Sequence, residues 1–276
     1  MQTDNSLIPP LKTASRTFSN GWAALRLFSP LISMGLILLI WQLLVNAQVY
    51  PNFILPAPMA VWEKLYDVTV GGARISLGLH LRVTFTEVLI GLIFGVTTSV
   101  ALGYIIAKTP LLESLLSPII VGFQATPVVA YAPLLVIWFG AGWMSKVITC
   151  ALIVFFPMLM GTIVGIRGVS VALRDLMRSL NATPLQMFLH LEVPAAAPIL
   201  FNGLKVSATL AVIGAVVGEF VSANAGLGFL VNIARSQYDT PLVIVAVLTL
   251  TFMALGLYSF MALLEWYALS WRRRVR

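Results

Sequence analysis

Six stretches of mostly apolar residues, near 28–46, 85–107, 116–139, 144–166, 199–222 and 242–264, leave this chain few folds to choose from. Roughly 20 such residues is the length a helix needs to cross the hydrocarbon core of a bilayer. A helix also satisfies its own backbone hydrogen bonds, which lipid cannot do for it. The pattern predicts an all-α membrane protein with six transmembrane helices. Composition agrees: 59% of the 276 residues are hydrophobic and 10% are charged, less than half the charge of an ordinary soluble domain. The segment 47–84, interrupted by Pro51, Pro56, Pro58 and Gly71-Gly72, is too polar to span. It reads as an extramembrane loop with a short helix near 58–67. Residues 1–27 are mostly polar, contain Pro9-Pro10, and read as an N-terminal tail rather than a secretory signal.

Orientation follows from the basic residues in the connections, which accumulate on the cytoplasmic side. With the N-terminus inside, that side holds Lys12, Arg16, Arg26, Lys108, Arg167, Arg174, Arg178, Lys205, Arg272, Arg273, Arg274 and Arg276. The other side holds Lys64, Arg74, Arg82, Lys146 and Arg235. Both termini are therefore expected in the cytoplasm. The expected layout is a cytoplasmic tail over 1–27, a transmembrane domain over 28–265 and a basic cytoplasmic tail over 266–276. Trp266, Tyr267 and Trp271 in that last segment read as interfacial anchors.

Several function classes drop out early. The net charge of +7 is spread over short loops and the tail, with no basic-aromatic surface for nucleic acid. Cys150 is alone, so no disulfide or Cys/His metal set can be built. HExxH is absent, and His80 and His190 fall on opposite sides of the membrane, so neither a catalytic residue nor a metal ligand is assigned. Proline and glycine inside the spans (Pro118, Pro127, Pro133 and Pro157 among them) require neighbouring helices to re-satisfy the backbone. Gly91/Gly95 and Gly161/Gly165 have the spacing of close helix contacts.

The stretch 167–205 contains the longest cytoplasmic connection, and its residues are not those of a linker. Val171 to Leu180 reads as a short helix with Leu173, Leu176, Met177 and Leu180 on one face. Asn181 stands where that helix stops and can take the left-handed cap. Thr183 suits an N-cap and Pro184 the first helical position. A second short helix, Pro184 to about Leu191, carries Leu185, Phe188 and Leu189, and Pro194 and Pro198 are expected to close it off before the next span. Periodicity leaves two readings open: a knob for the groove of a soluble partner, or a helical pair lying on the bilayer.

The stretch resembles the cytoplasmic loop of binding-protein-dependent ABC importer permeases, whose motif reads EAA-x3-G-x9-I-x-LP. Asp175-Leu176-Met177, Asn181, Leu191 and Val193-Pro194 keep that spacing, with departures at Leu176, Met177 and Asn181. Ile54-Leu55-Pro56-Ala57-Pro58, the run Ala132 to Gly140, Phe155-Phe156-Pro157, Gly218-Glu219-Phe220 and Gly226-Leu227-Gly228 are similar to the nitrate, sulfonate and taurine group of these permeases. Similarity covers roughly 50–265. The run Thr126 to Gly140 is most similar to permeases for pyrimidine vitamin precursors and to riboflavin permeases.

The resemblance implies the ABC importer permease fold and a homodimer around a translocation path. It also implies ABC ATPase subunits below and a periplasmic or lipid-anchored solute-binding protein above, at the bacterial inner membrane. The loop 167–198 would be the ATPase-coupling loop, with Asp175, Asn181, Ala182, Pro184, Leu185, Phe188 and Pro194 as its marked positions and Phe188 as the docking anchor. No GxxxxGK[ST] phosphate loop is present, so no cofactor is expected on this chain and ATP is expected on the partner subunit. The solute would be a heterocyclic vitamin or pyrimidine precursor, such as riboflavin or a thiamine precursor; nitrate, taurine or alkyl sulfonates are the alternative. Gln124, Thr126, Tyr131 and Glu219 are the candidates for the path. The rival class is a secondary transporter or channel, which would need intramembrane charges; Glu87, Glu219 and Glu265 lie near helix ends.

Overall fold

The computed structural model describes residues 19–71 and 75–273, and every regular element among them is helical. In chain order these are α1 (Ser19–Asn46), α2 (Pro58–Thr69), α3 (Leu77–Lys108), α4 (Pro110–Ala125), a 3-10 turn at Val128–Ala130, and α5 (Ala132–Phe139). Then come α6 (Trp143–Arg167), α7 (Val171–Ser179), α8 (Pro184–Met187), a π-turn at Phe188–Glu192, and α9 (Val193–Val221). The chain closes with α10 (Leu227–Ser236), α11 (Thr240–Ala268) and α12 (Ser270–Arg273). The described chain divides at Pro58 into two compact units. Within the first, α1 leads into a turn where Trp41 Nε1 donates to the Pro56 carbonyl at 2.9 Å.

Four helical runs are long and apolar enough to cross a membrane: α3, α6, the continuous run Pro184–Val221, and α11. Their outward faces carry Ile93, Phe94, Leu255 and Phe252, each more than half exposed, which suits lipid and would be a liability in water. The first and third expected spans are represented by shorter apolar helices, Leu31–Asn46 and Pro110–Ala125. The expected continuous span 116–139 is broken. Pro127 has no N–H and disfavours a helical residue before it, and Thr126 is accordingly extended (φ −87, ψ 127). The second span starts at Leu77, eight residues before the expected boundary, and α2 confirms the short helix in the loop. Of the expected N-terminal tail, residues 1–18 lie outside the described residues, and Ser19 onward already belongs to α1. Of the C-terminal tail, 266–268 complete α11 and Ser270–Arg273 form α12, with 274–276 outside the described residues.

Helix α6 lies at the centre, against α3 on one side and α9 on the other, with α11 on α9. Val88, Leu92, Cys150, Val154, Ala208, Ala211 and Ala215 form the buried core where α3, α6 and α9 meet. Glycine makes that approach possible. A Cβ at Gly91 would stand 2.6 Å from Cys150 Cβ, and one at Gly95 would stand 2.8 Å from the Ala151 carbonyl, so the first expected pair does form a seam. The second expected pair is looser: Gly165 meets Ala196, but Gly161 has only Gly203 Cα at 4.0 Å. The seam missed in the sequence is Gly214/Gly218, which sets α9 on Cys150 and Lys146 of α6. Gly214→Ala would push a methyl to 2.6 Å from Cys150 Cα, where backbone has to move. It is expected to cost about 1–3 kcal/mol, read as a lowered melting temperature in detergent, whereas Gly161→Ala should leave the melt unchanged.

Candidate functional site

Two features stand out, one at each end of the bundle. At the first end, α6 runs out at Gly168 and the chain turns into α7 and α8. Helix α7 ends as its sequence suggested. Asn181 takes φ +54, the Ala182 N–H donates to the Met177 carbonyl at 3.0 Å, and the Asn181 N–H donates to the Arg178 carbonyl at 2.9 Å. These are the two bonds of a Schellman cap, formed with asparagine where the resembling motif has glycine. Thr183 then caps α8: its Oγ1 accepts from the Gln186 N–H at 3.3 Å, and Gln186 Oε1 accepts from the Thr183 N–H at 2.8 Å. Asn181→Gly should preserve this turn. Asn181→Val, forced into the left-handed region, should cost about 1–2 kcal/mol, visible as faster amide exchange over 178–186.

The second loop helix is not closed off by Pro194. It widens into the π-turn Phe188–Glu192 and continues as α9, with the Val193 N–H donating to the Phe188 carbonyl. A π-turn is a known solution at functional positions, and here it lets the chain admit Pro194, which can neither donate nor tolerate a close carbonyl one turn back. Pro194 becomes an early position of α9, and Pro198 sits inside it. The α8 segment is thus continuous with a membrane helix.

Its exposed side differs from expectation. Leu185 is 65% exposed and Leu189 half exposed. Phe188, the expected anchor, is half-buried, its ring edge-on to Tyr104 of α3 at 5.1 Å between centroids. Tyr104, which it meets, lies on α3, more than 80 residues away in the chain, and periodicity within the loop could not show this contact. Val171, Leu173, Leu176 and Leu180 on α7 are also exposed, so the two short helices present apolar side chains outward together. Asp175 is exposed and pairs with Arg178 at 3.2 Å, and Ala182 is half-buried. Arg174 donates to the Ile166 carbonyl at 2.5 Å and fastens α7 to the end of α6.

At the opposite end, a buried polar network ties three spans to the turn before α10. Glu219 of α9 is 1% exposed. Its Oε1 accepts from Thr84 Oγ1 at 2.6 Å and its Oε2 from the Gly228 N–H at 2.5 Å. Thr84 Oγ1 in turn accepts from the Leu227 N–H at 2.7 Å, and His80 Nδ1 lies 3.0 Å from the Gly226 N–H. Glu87 pairs with Lys146 at 3.2 Å, both buried. Gly226 sits at φ +123 against the Glu219 carboxylate, where a side chain would have no room. The carboxylate expected to face a path is, in this conformation, turned to Thr84 and the 226–228 turn. Lys146, counted as a loop charge, is a buried partner of α3.

Gln124, Thr126 and Tyr131 gather at the break between α4 and α5. Gln124 is exposed, Thr126 and Tyr131 are half-buried, and the Tyr131 ring lies 6.1 Å from that of Phe123. They do not adjoin Glu219 through any described hydrogen bond. A polar cavity of about 370 Å³ opens instead between the end of α9 and α10, lined by Glu219, Ser222, Asn224, Phe229, Asn232 and Ser236. No signal in the sequence singled out Ser222, Asn224, Asn232 and Ser236: single polar residues in a loop and a short helix carry no motif. Among the described residues no group of three His, Cys, Asp or Glu side chains could hold a metal ion.

Comparison with known proteins agrees with this architecture. Residues 74–268 match the family described as binding-protein-dependent transport system inner membrane component. The riboflavin transport system permease protein of Chloroflexus aurantiacus is 40% identical over 87% of this chain and 88% of its own length. A probable ABC transporter permease protein of Haemophilus influenzae is 36% identical, over 85% of this chain and 94% of its own. The formylaminopyrimidine transport permease protein of Halalkalibacterium halodurans is 31% identical, over 89% and 96%. Among solved structures, a chain from an amino acid ABC transporter crystallised with histidines aligns with a TM-score of 0.53 at 20% identity, over 78% of this chain and 98% of that one; it supports the fold. This chain belongs to the binding-protein-dependent transport inner-membrane components: it is a multi-pass permease subunit of an ABC transporter, a transport component rather than an enzyme.

Proposed function

We propose that the chain forms a homodimer around a translocation path and imports a small heterocyclic vitamin or pyrimidine precursor, riboflavin or a thiamine precursor being the first candidates. The carrying observation is the similarity over nearly the whole chain to permeases named for riboflavin and formylaminopyrimidine. Relatives named for taurine, aliphatic sulfonates and nitrate are less similar, at 28%, 28% and 25% identity. The α7–α8 end faces the cytoplasm and receives the ATPase, which holds the ATP; this chain binds no cofactor. The opposite end receives the solute-binding protein, periplasmic or lipid-anchored, and the polar cavity beside Glu219 lies at that mouth of the path.

Selectivity is tested on the partner. Calorimetry of the cognate binding protein should give tight binding to riboflavin or a formylaminopyrimidine and none to nitrate or taurine; the reverse order would move the chain to the anion group. Orientation is tested by reporter fusions after Arg276 and near Gly72. The first is expected in the cytoplasm and the second outside, and the same side for both would contradict this orientation.

A further inference from the structure

Helix α3 ends at Lys108 beside the helical run that begins with α8, and one buried carboxylate joins the two. Glu192, the last residue of the π-turn, is fully buried although it carries a charge. It accepts a hydrogen bond from Tyr104 Oη at 3.0 Å and forms an ion pair with Lys108 Nζ. Phe188, the first residue of the same π-turn, lies edge-on against the Tyr104 ring. Lys108 Nζ stands 5.5 Å from that ring's centroid. Tyr104 is therefore gripped by both ends of the π-turn, and the sequence marked neither Tyr104 nor Glu192.

Glu192 is the buried member of the pair, and Lys108 keeps part of its side chain exposed. A charge buried in this way seldom adds net stability over an apolar group of the same volume, and its best-attested use is to fix one geometry. The geometry fixed here is that of the outward-facing α8 segment relative to α3. Leu185 and Leu189 present their side chains away from the bundle, while Phe188 and Glu192 on the same short stretch hold α3. The backbone continues without interruption into α9. A displacement applied at Leu185 thus reaches α9 along the helix and α3 only through side chains. We propose that Glu192, with Tyr104 and Lys108 as its grips, is the positioning residue that hands the motion of the docked α8 segment to α3, so that α3 and α9 move as one body. The inference rests on the reading of α8 as the ATPase docking segment.

The test uses the complete complex with its ATPase and binding protein in proteoliposomes, with solute uptake and ATP hydrolysis measured on the same preparation. Glu192→Gln is expected to leave ATPase recovery at the parent level and to lower solute taken up per ATP by about threefold to tenfold, the range of residues on a coupling route. Tyr104→Phe removes one hydroxyl and keeps the contact with Phe188; it should lower the same ratio by about twofold to threefold, and it decides the matter if Glu192→Gln does not assemble. A parent ratio in these variants overturns the proposal. So does a loss of uptake matched by an equal loss of bound ATPase, which would make Glu192 only a support for the docking surface. Leu185→Asp separates the two claims. Full ATPase recovery in Leu185→Asp would sink the docking reading, whereas its loss alongside parent ratios in Glu192→Gln would sink only the role of Glu192.

Discussion

Leu185→Asp is expected to strip the ATPase from this subunit on purification and to abolish ATP-driven uptake, while the membrane subunit inserts and melts as the parent does. Leu185 stands on the exposed side of α8, 65% accessible, one residue after a capped helix start, so its replacement leaves no cavity and breaks no described hydrogen bond. In a groove it would be an anchor. Losing a central apolar anchor costs roughly 2 kcal/mol or more of binding, and burying an unpaired carboxylate in its place adds to that. The affinity should therefore fall by about two orders of magnitude or more. Phe188→Ala, by contrast, opens a gap beside Tyr104 and is expected to lower the melting temperature as well as ATPase recovery. Equal recovery of the ATPase in Leu185→Asp and the parent would return the loop to the bilayer surface.

The largest effect on folding is expected from Lys146→Met. Lys146 is 7% exposed and its partner Glu87 4%, and Glu87 is near enough to Glu219 for the two carboxyls to influence one another electrostatically. Glu87 Oε2 has no hydrogen-bond partner among the described residues, so Lys146 is the group that makes two adjacent carboxyls tolerable between α3, α6 and α9. Removing one member of such a buried pair costs about 3–5 kcal/mol, whereas replacing both by uncharged groups of similar size is often close to neutral. Lys146→Met alone should aggregate or melt far below the parent. Lys146→Met with Glu87→Gln should recover most of the loss, and a double variant no more stable than the single one would refute the pairing argument.

Much of this fold was legible because a bilayer allows so few solutions. Four of the expected spans became long helices, and the cap residues Asn181, Thr183 and Pro184 did what their side chains permit. The third span was misread because hydropathy sums over Pro127, while the backbone cannot. Phe188 reads as one apolar face with Leu185 and Leu189, but its ring lies against Tyr104 while those two leucines are exposed, because periodicity does not show which neighbour a helix face meets. The Glu219 carboxylate pointed to a path because a lone acid in an apolar helix has no visible partner in sequence. Thr84, Gly226 and Gly228, which surround it, lie on α3, on the turn after α9 and at the start of α10, and only the packed structure brings them together. The same holds for Glu192: its partners Tyr104 and Lys108 come from more than 80 residues away.

The central claim, that the chain is the passive membrane half of an ATP-driven importer, is tested most directly by uptake into proteoliposomes with ATP sealed inside and solute with its binding protein outside. Vesicles containing this chain and the ATPase should accumulate solute only when all three components and internal ATP are present. Accumulation by this chain alone, driven by a proton or sodium gradient without ATPase or ATP, would contradict the account and make it a secondary transporter.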